Sequence, residues 1–163
     1  MRTEKKFMRR RYAPLVTGCS LTCTTPESPL TQLYSGGEYQ PNREGTAAVP
    51  CGICPIISAS ARDGSWQGNT RSNAHMSQMQ WYVDGQKIES VTSWNGKYSI
   101  ITSGYNKGML IIKRNIGLNE RVKLRFEGKL LDFRNNELVP VKSDEKTLYT
   151  VQAAQDSWSV ETD

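Results

Sequence analysis

Histidine occurs once in these 163 residues, at His75, and phenylalanine only three times. No apolar run approaches the roughly 18 residues that a membrane-crossing helix needs. No window of about 11 residues places its apolar side chains at helical spacing, and no segment recurs at a fixed period. Each scarcity excludes something. Any Ser-His-Asp or Cys-His relay would have to use His75, which sits in the polar stretch NAHMS and reads as a solvated loop side chain. The acids are scattered. Asp144-Glu145 is an ordinary charged turn, and no calcium-loop spacing occurs. The glycine-containing stretches SGGE and SGYNKG lack the Lys-Ser/Thr ending and the following helix of a phosphate cradle. The expectation is a protein without catalytic residues or cofactor.

The charge is as uneven as the chemistry is sparse. Twenty-one Lys and Arg stand against sixteen acids, a net charge of +5. Six of the cations (Arg2, Lys5, Lys6, Arg9, Arg10, Arg11) and only Glu4 among the acids lie before Tyr12. From Tyr12 onward fifteen basic residues face fifteen acidic ones, so the body is neutral and the arm carries the whole excess. A neutral body supplies little of the phosphate attraction behind nucleic-acid binding, and no sequence-specific nucleic-acid role is expected. The arm is either a solvated tail or a docking segment for an acidic partner surface.

Four cysteines invite three readings. Cys19 and Cys23, then Cys51 and Cys54, approach the layout of a four-thiolate zinc site. The first pair is spaced by three residues, however, and in a strand Cys51 and Cys54 point to opposite faces. Val16-Thr17-Gly18-Cys19 matches a lipoprotein cleavage pattern, but the apolar segment before it is short and holds Pro14. Free thiols behaving as small hydrophobes fit best.

What the chain does have is punctuation and alternation. Thirteen Gly and seven Pro break it into short pieces. Residues 1–50 read as a basic arm and an extended lead-in, with one short strand at 31–34, and residues 51–163 as the folded domain. Within the domain, strands are expected at 52–61, 80–83, 87–91, 98–101, 109–113, 121–130, 138–141 and 147–153. Residues 65–77 read as a long loop. The clearest strand is RVKLRFEGKL, where Val122, Leu124 and Phe126 alternate with charged neighbours. Asp84-Gly85 has the composition of a type I′ hairpin turn. Many short strands with frequent turns imply an all-β, immunoglobulin-like β-sandwich preceded by an extended N-terminal arm. Trp81 is then its core tryptophan. Trp66 and Trp94, in the polar settings GSWQGN and TSWNGK, are candidates for a ligand platform, or for end caps of the sandwich.

Several framework stretches occur together: QLYSGGEYQPNR, MQWYVDGQKI and MLIIKRNIGLNERVKLRFEGKLLDFRNNELV. In these, the chain resembles minor structural proteins of tailed phages and prophages of gut bacteria, over roughly residues 30–150. The matching features are the lead-in from Leu33 to Arg43, the Trp81-Tyr82 strand, the strand-turn from Leu110 to Asn115, and the alternating strand and turn from Leu124 to Leu138. The four cysteines depart from that pattern. The resemblance implies an immunoglobulin-like domain in a virion, made in the host bacterial cytoplasm and contacting other virion proteins and copies of itself. The competing expectation is a bacterial outer-surface lipoprotein, anchored at Cys19 and binding glycan or a host protein through Trp66 and Trp94.

Overall fold

A computed structural model describes residues 12–88 and 96–153. Among these residues the chain is all-β, with thirteen strands and no helix. The strands are β1 (Leu15–Cys23), β2 (Gln32–Ser35), β3 (Glu38–Gln40), β4 (Cys51–Ala61), β5 (Gln67–Arg71), β6 (Met76–Val83) and β7 (Gln86–Lys87). They continue with β8 (Tyr98–Ile100), β9 (Leu110–Ile112), β10 (Val122–Asp132), β11 (Glu137–Lys142), β12 (Lys146–Leu148) and β13 (Thr150–Gln152). One sheet runs β1-β4-β9-β8, with β5 also on β4; a second runs β11-β10-β6-β7, with β12 also on β10. A small third sheet, β13-β2-β3, pairs its outer strands around β2.

The two larger sheets form a sandwich because their strands carry apolar residues with a period of two. Along β10 every second side chain, from Val122 through Asp132, is buried. Phe126 stands opposite Trp81 of β6, and their rings meet edge-on at 5.3 Å. Ile53, Ile57, Leu110 and Ile112 from the first sheet complete a core with Val83, Leu124 and Leu148 from the second. The Trp81 indole nitrogen is satisfied inside that core by the Gly108 carbonyl at 2.8 Å, as a buried indole requires. The β6–β7 turn places both Asp84 (φ 50°) and Gly85 (φ 81°) in left-handed backbone, the conformation that a type I′ turn demands. Asp84 Oδ1 then accepts from the Lys123 amide, tying the turn to β10.

The structure departs from the sequence reading in three places. Residues 12–50, expected to hold one strand, hold three. The longest, β1, pairs with β4 along nine positions from Leu15↔Ala61 to Cys23↔Ile53. Its core-facing row is Leu15, Thr17, Cys19, Leu21 and Cys23, an alternation that becomes visible once cysteine is counted as apolar. Residues 65–77, expected to be a loop, contain β5, which has no large hydrophobe and exists through backbone pairing with β4. The final stretch, expected as one strand, divides: β12 stays on β10, while β13 crosses to lie parallel to β2.

The lead-in is fastened to the body by a buried polar network. Gln32 Nε2 donates to Pro41 O and to Asn115 Oδ1, both at 2.8 Å, and Gln32 Oε1 accepts from the Ile116 amide at 2.8 Å. Asn115 Oδ1 also accepts from the Arg43 amide. The Arg43 side chain is wholly buried and donates from Nη2 to the carbonyls of Pro29 and Leu30. Burial makes that guanidinium give up its proton more easily than usual. Two stretches of the framework pattern, Leu33 to Arg43 and Leu110 to Asn115, therefore meet in space.

Candidate docking face at one end of the sandwich

Four segments converge at one end of the sandwich. The first is the turn after β4. There Asp63 Oδ1 accepts from the Ser65 amide at 2.9 Å, and the Ala61 amide donates to Trp66 O. The Asp63 carboxyl is held below its ordinary range, chiefly by hydrogen bonding from Ser65. Trp66 is half-buried and lies against Gly68, where an added Cβ would stand 3.3 Å from the indole. The second segment is the turn before β6, which presents His75 on left-handed backbone (φ 62°), exposed, with its carbonyl accepting from the Leu131 amide.

The β10–β11 turn is the third segment. Arg134 donates from Nε to Asp132 Oδ1 at 3.0 Å and from Nη2 to Asp132 Oδ2 at 2.9 Å, a two-toothed pair. Hydrogen bonding to Arg134 holds the Asp132 carboxyl below the usual carboxylate range, and Asp132 in turn raises Arg134. The fourth segment is the start of the described chain. Arg134 Nη2 also donates to Ala13 O at 2.8 Å, and its guanidinium lies 5.1 Å over the Tyr12 ring. Arg134 is thus the clamp that joins the beginning of the chain to the β10–β11 turn.

Phe133 stands beside this clamp. Its ring meets Trp66 at 6.2 Å, perpendicular, and His75 at 5.4 Å. Between these rings and the sheet lies a cleft of about 180 Å³ lined by Leu15, Ile57, Ala59, Trp66, Leu130 and Phe133, among others. Ligand pockets for whole small molecules usually occupy about 300–1,000 Å³. This cleft is the size for one inserted side chain. Phe133 is 54% exposed at its rim, and Tyr12, under the Arg134 guanidinium, is 38% exposed; Val16 (47%) and Leu138 (46%) are exposed on β1 and β11. The elements that carry them touch: Thr17 Oγ1 of β1 donates to Pro140 O of β11 at 2.9 Å.

The sequence-derived candidates distribute unevenly over this picture. Trp66 is on the face. Trp94 and the cations Arg2, Lys5, Lys6, Arg9, Arg10 and Arg11 lie outside the described residues. The cysteines do not assemble into one site: Cys54 stands opposite Thr22, on the other face of the sheet from Cys19 and Cys23, and its sulfur is 4.0 Å from Ser72 Oγ. No three His, Cys, Asp or Glu side chains converge on a metal-sized space among the described residues. Burial pushes the Cys19 and Cys51 thiols up to about 12. Phe133, Arg134 and Tyr12 are not among the candidates that the sequence offers. An aromatic at a turn position was the available signal, since a turn gives such a side chain nothing of its own to pack on. No helix of the described residues is long and apolar enough to cross a membrane. Compared with protein-family models, curated proteins and solved structures, the chain matches none.

Proposed function

We propose that this protein is a structural subunit of a phage particle, of the tail, its junction with the head, or the particle surface. It acts by protein–protein contact through the end of its immunoglobulin-like sandwich and its basic arm. The observation that carries this reading is the apolar face around Phe133. Large exposed apolar side chains beside a cleft mark contact sites on otherwise polar proteins, and this cleft suits a partner's side chain. The cationic segment precedes Tyr12 directly in the chain, and its charge would add attraction to an acidic neighbour. The immunoglobulin-type assignment draws support from Trp81 at the centre of the core, on a strand paired with β10.

The lipoprotein alternative is disfavoured by the position of Cys19. Cleavage before it would remove Leu15, Val16, Thr17 and Gly18 from β1 and the Ala13 carbonyl from Arg134. The experiment is a density-gradient separation of particles from membranes in the native source, with mass spectrometry of the N-terminal peptide. A chain that keeps its arm and travels with particles is expected. A lipid-modified peptide beginning at Cys19 in the membrane fraction would overturn the proposal.

A further inference from the structure

The cysteines hold a second feature, separate from the docking face and independent of the proposed function. Cys23 is the last residue of β1 and Cys51 the first of β4. The β1–β4 register sets Cys23 opposite Ile53, so Cys51 is its diagonal neighbour on the same core-facing side. Their sulfurs lie 3.9 Å apart. A disulfide needs about 2.05 Å, a closure of about 1.9 Å that side-chain rotation and small adjustments at two strand ends can supply. Cys23 is half-buried and Cys51 fully buried, so the two sulfurs differ in access from solvent.

The surroundings favour sulfur chemistry at this point. The Arg43 guanidinium is completely buried, and neither its Nε nor its Nη1 has a hydrogen-bond partner. The groups near it that could carry a negative charge are Cys51, Cys23 and Tyr98, none of them a carboxylate. A buried cation without an anionic partner is costly, and it stabilises negative charge developing on either sulfur.

We propose that Cys23 and Cys51 form an oxidisable dithiol that closes to an intrachain disulfide when a small-molecule disulfide is the oxidant. The Cys23 sulfur, deprotonated to solvent, attacks one sulfur of glutathione disulfide, and one glutathione thiolate leaves. The Cys51 sulfur, losing its proton, then attacks Cys23 Sγ and expels the second glutathione thiolate. The pair loses two electrons and two protons; the oxidant gains the two electrons, and its S–S bond becomes two thiols. Burial holds Cys51 protonated at rest, against the pull of Arg43, so the half-buried Cys23 is the sulfur that attacks the oxidant from the solvent side and Cys51 is the resolving one. The bond spans 28 residues, including β2, β3 and Arg43. It would staple the lead-in to the sandwich after the protein leaves a reducing cytosol.

The test uses the full chain, incubated folded with excess glutathione disulfide at mildly alkaline pH, then unfolded and alkylated. Two of the four thiols are expected to resist alkylation, with the mass lower by two hydrogens and no glutathione retained. Trypsin cuts after Arg11, Arg43 and Arg62 leave the cysteines in peptides 12–43 and 44–62. The expected product is this pair cross-linked, with fragment ions placing the bond at Cys23 and Cys51. Oxidation should raise Tm by roughly 5–10 °C. Cys23→Ser, at the half-buried position, should abolish both the link and the shift, whereas Cys19→Ser should keep them. Four alkylatable thiols after exposure, a stable glutathione adduct, a link through Cys19 or Cys54, or a link between chains would each overturn the proposal.

Discussion

Gln32 and Asn115, 83 positions apart in the chain, share a partly buried hydrogen bond of 2.8 Å from Gln32 Nε2 to Asn115 Oδ1. Gln32 has no solvent exposure, and its two other bonds, from Nε2 to Pro41 O and from the Ile116 amide to Oε1, close the network. The lead-in is therefore held by specific polar contacts as well as by the pairing of β1.

Gln32→Glu tests that network with almost no change of shape. A carboxylate keeps the acceptor for Ile116 but cannot donate to Pro41 O or Asn115 Oδ1. Taking both donors away from Pro41 O and Asn115 Oδ1, the latter keeping only the Arg43 amide, and burying a charge beside them should cost roughly 2–4 kcal/mol at neutral pH. Urea unfolding at pH 7 measures it, and a loss below about 0.5 kcal/mol would mean that the network is not formed.

Gly108 offers a paired comparison. Its φ is +92°, its carbonyl accepts from the Trp81 indole, and an added Cβ would lie 2.6 Å from Ser72 Oγ and 2.8 Å from Met79 Sδ. Gly104 has a similar φ of +84° with nothing within 4 Å of the same position. Both substitutions by alanine meet the backbone penalty of about 1 kcal/mol. Only Gly108→Ala should also disturb the core. We expect it to lose roughly 2–4 kcal/mol, several times the loss in Gly104→Ala, with quenching of Trp81 fluorescence altered in the first variant alone.

These residues also show what was legible in the sequence. The alternation around Leu124 and the Asp84-Gly85 turn could be read directly, because period and turn chemistry are local properties. The strand β1 was hidden by its own cysteines: considered as metal or lipid attachment points, Cys19 and Cys23 no longer counted toward the apolar row with Leu15 and Leu21. Nothing in QGNTR could have revealed β5, whose side chains contribute little and whose partner strand supplies the order. The meeting of Gln32, Arg43 and Asn115 depends on long-range topology, which polar residues do not announce. At this end of the sandwich, Trp66 stands out in the sequence as an aromatic in a polar setting, while Phe133 and the Arg134 clamp emerge only when the β10–β11 turn is seen against Tyr12 and His75.

Phe133→Ala separates contact from folding. The side chain is 54% exposed and meets Trp66 edge-on and His75 at a tilt, so its loss should cost about 1 kcal/mol or less of stability. If the face is a contact surface, the variant should be incorporated into particles at least tenfold less efficiently, as expected for a central aromatic anchor. Incorporation equal to that of the unaltered chain would move the contact elsewhere on the molecule.

Asp132 and Arg134 make the clamp sensitive to acid, and the sign follows from the carboxyl. Hydrogen bonding from Arg134 holds the folded Asp132 below its ordinary value, near 3.9 in an unfolded chain. The folded state therefore binds this proton less readily than the unfolded state. The stabilisation is fully present above about pH 5, and it is lost as pH falls through 3.9 and then through the lower folded value. Asp132→Asn keeps the shape but removes the charge. It should be less stable than the unaltered chain at pH 7, with the gap narrowing steadily between about pH 4 and pH 2. Urea midpoints across that range measure the gap. Because Arg134 also holds Ala13 O and covers Tyr12, proteolytic release of the first residues should quicken over the same acid interval, and Asp132→Asn should show that faster release already at pH 7. A gap that stays constant with pH would show that the carboxylate charge contributes nothing and that the clamp rests on shape alone.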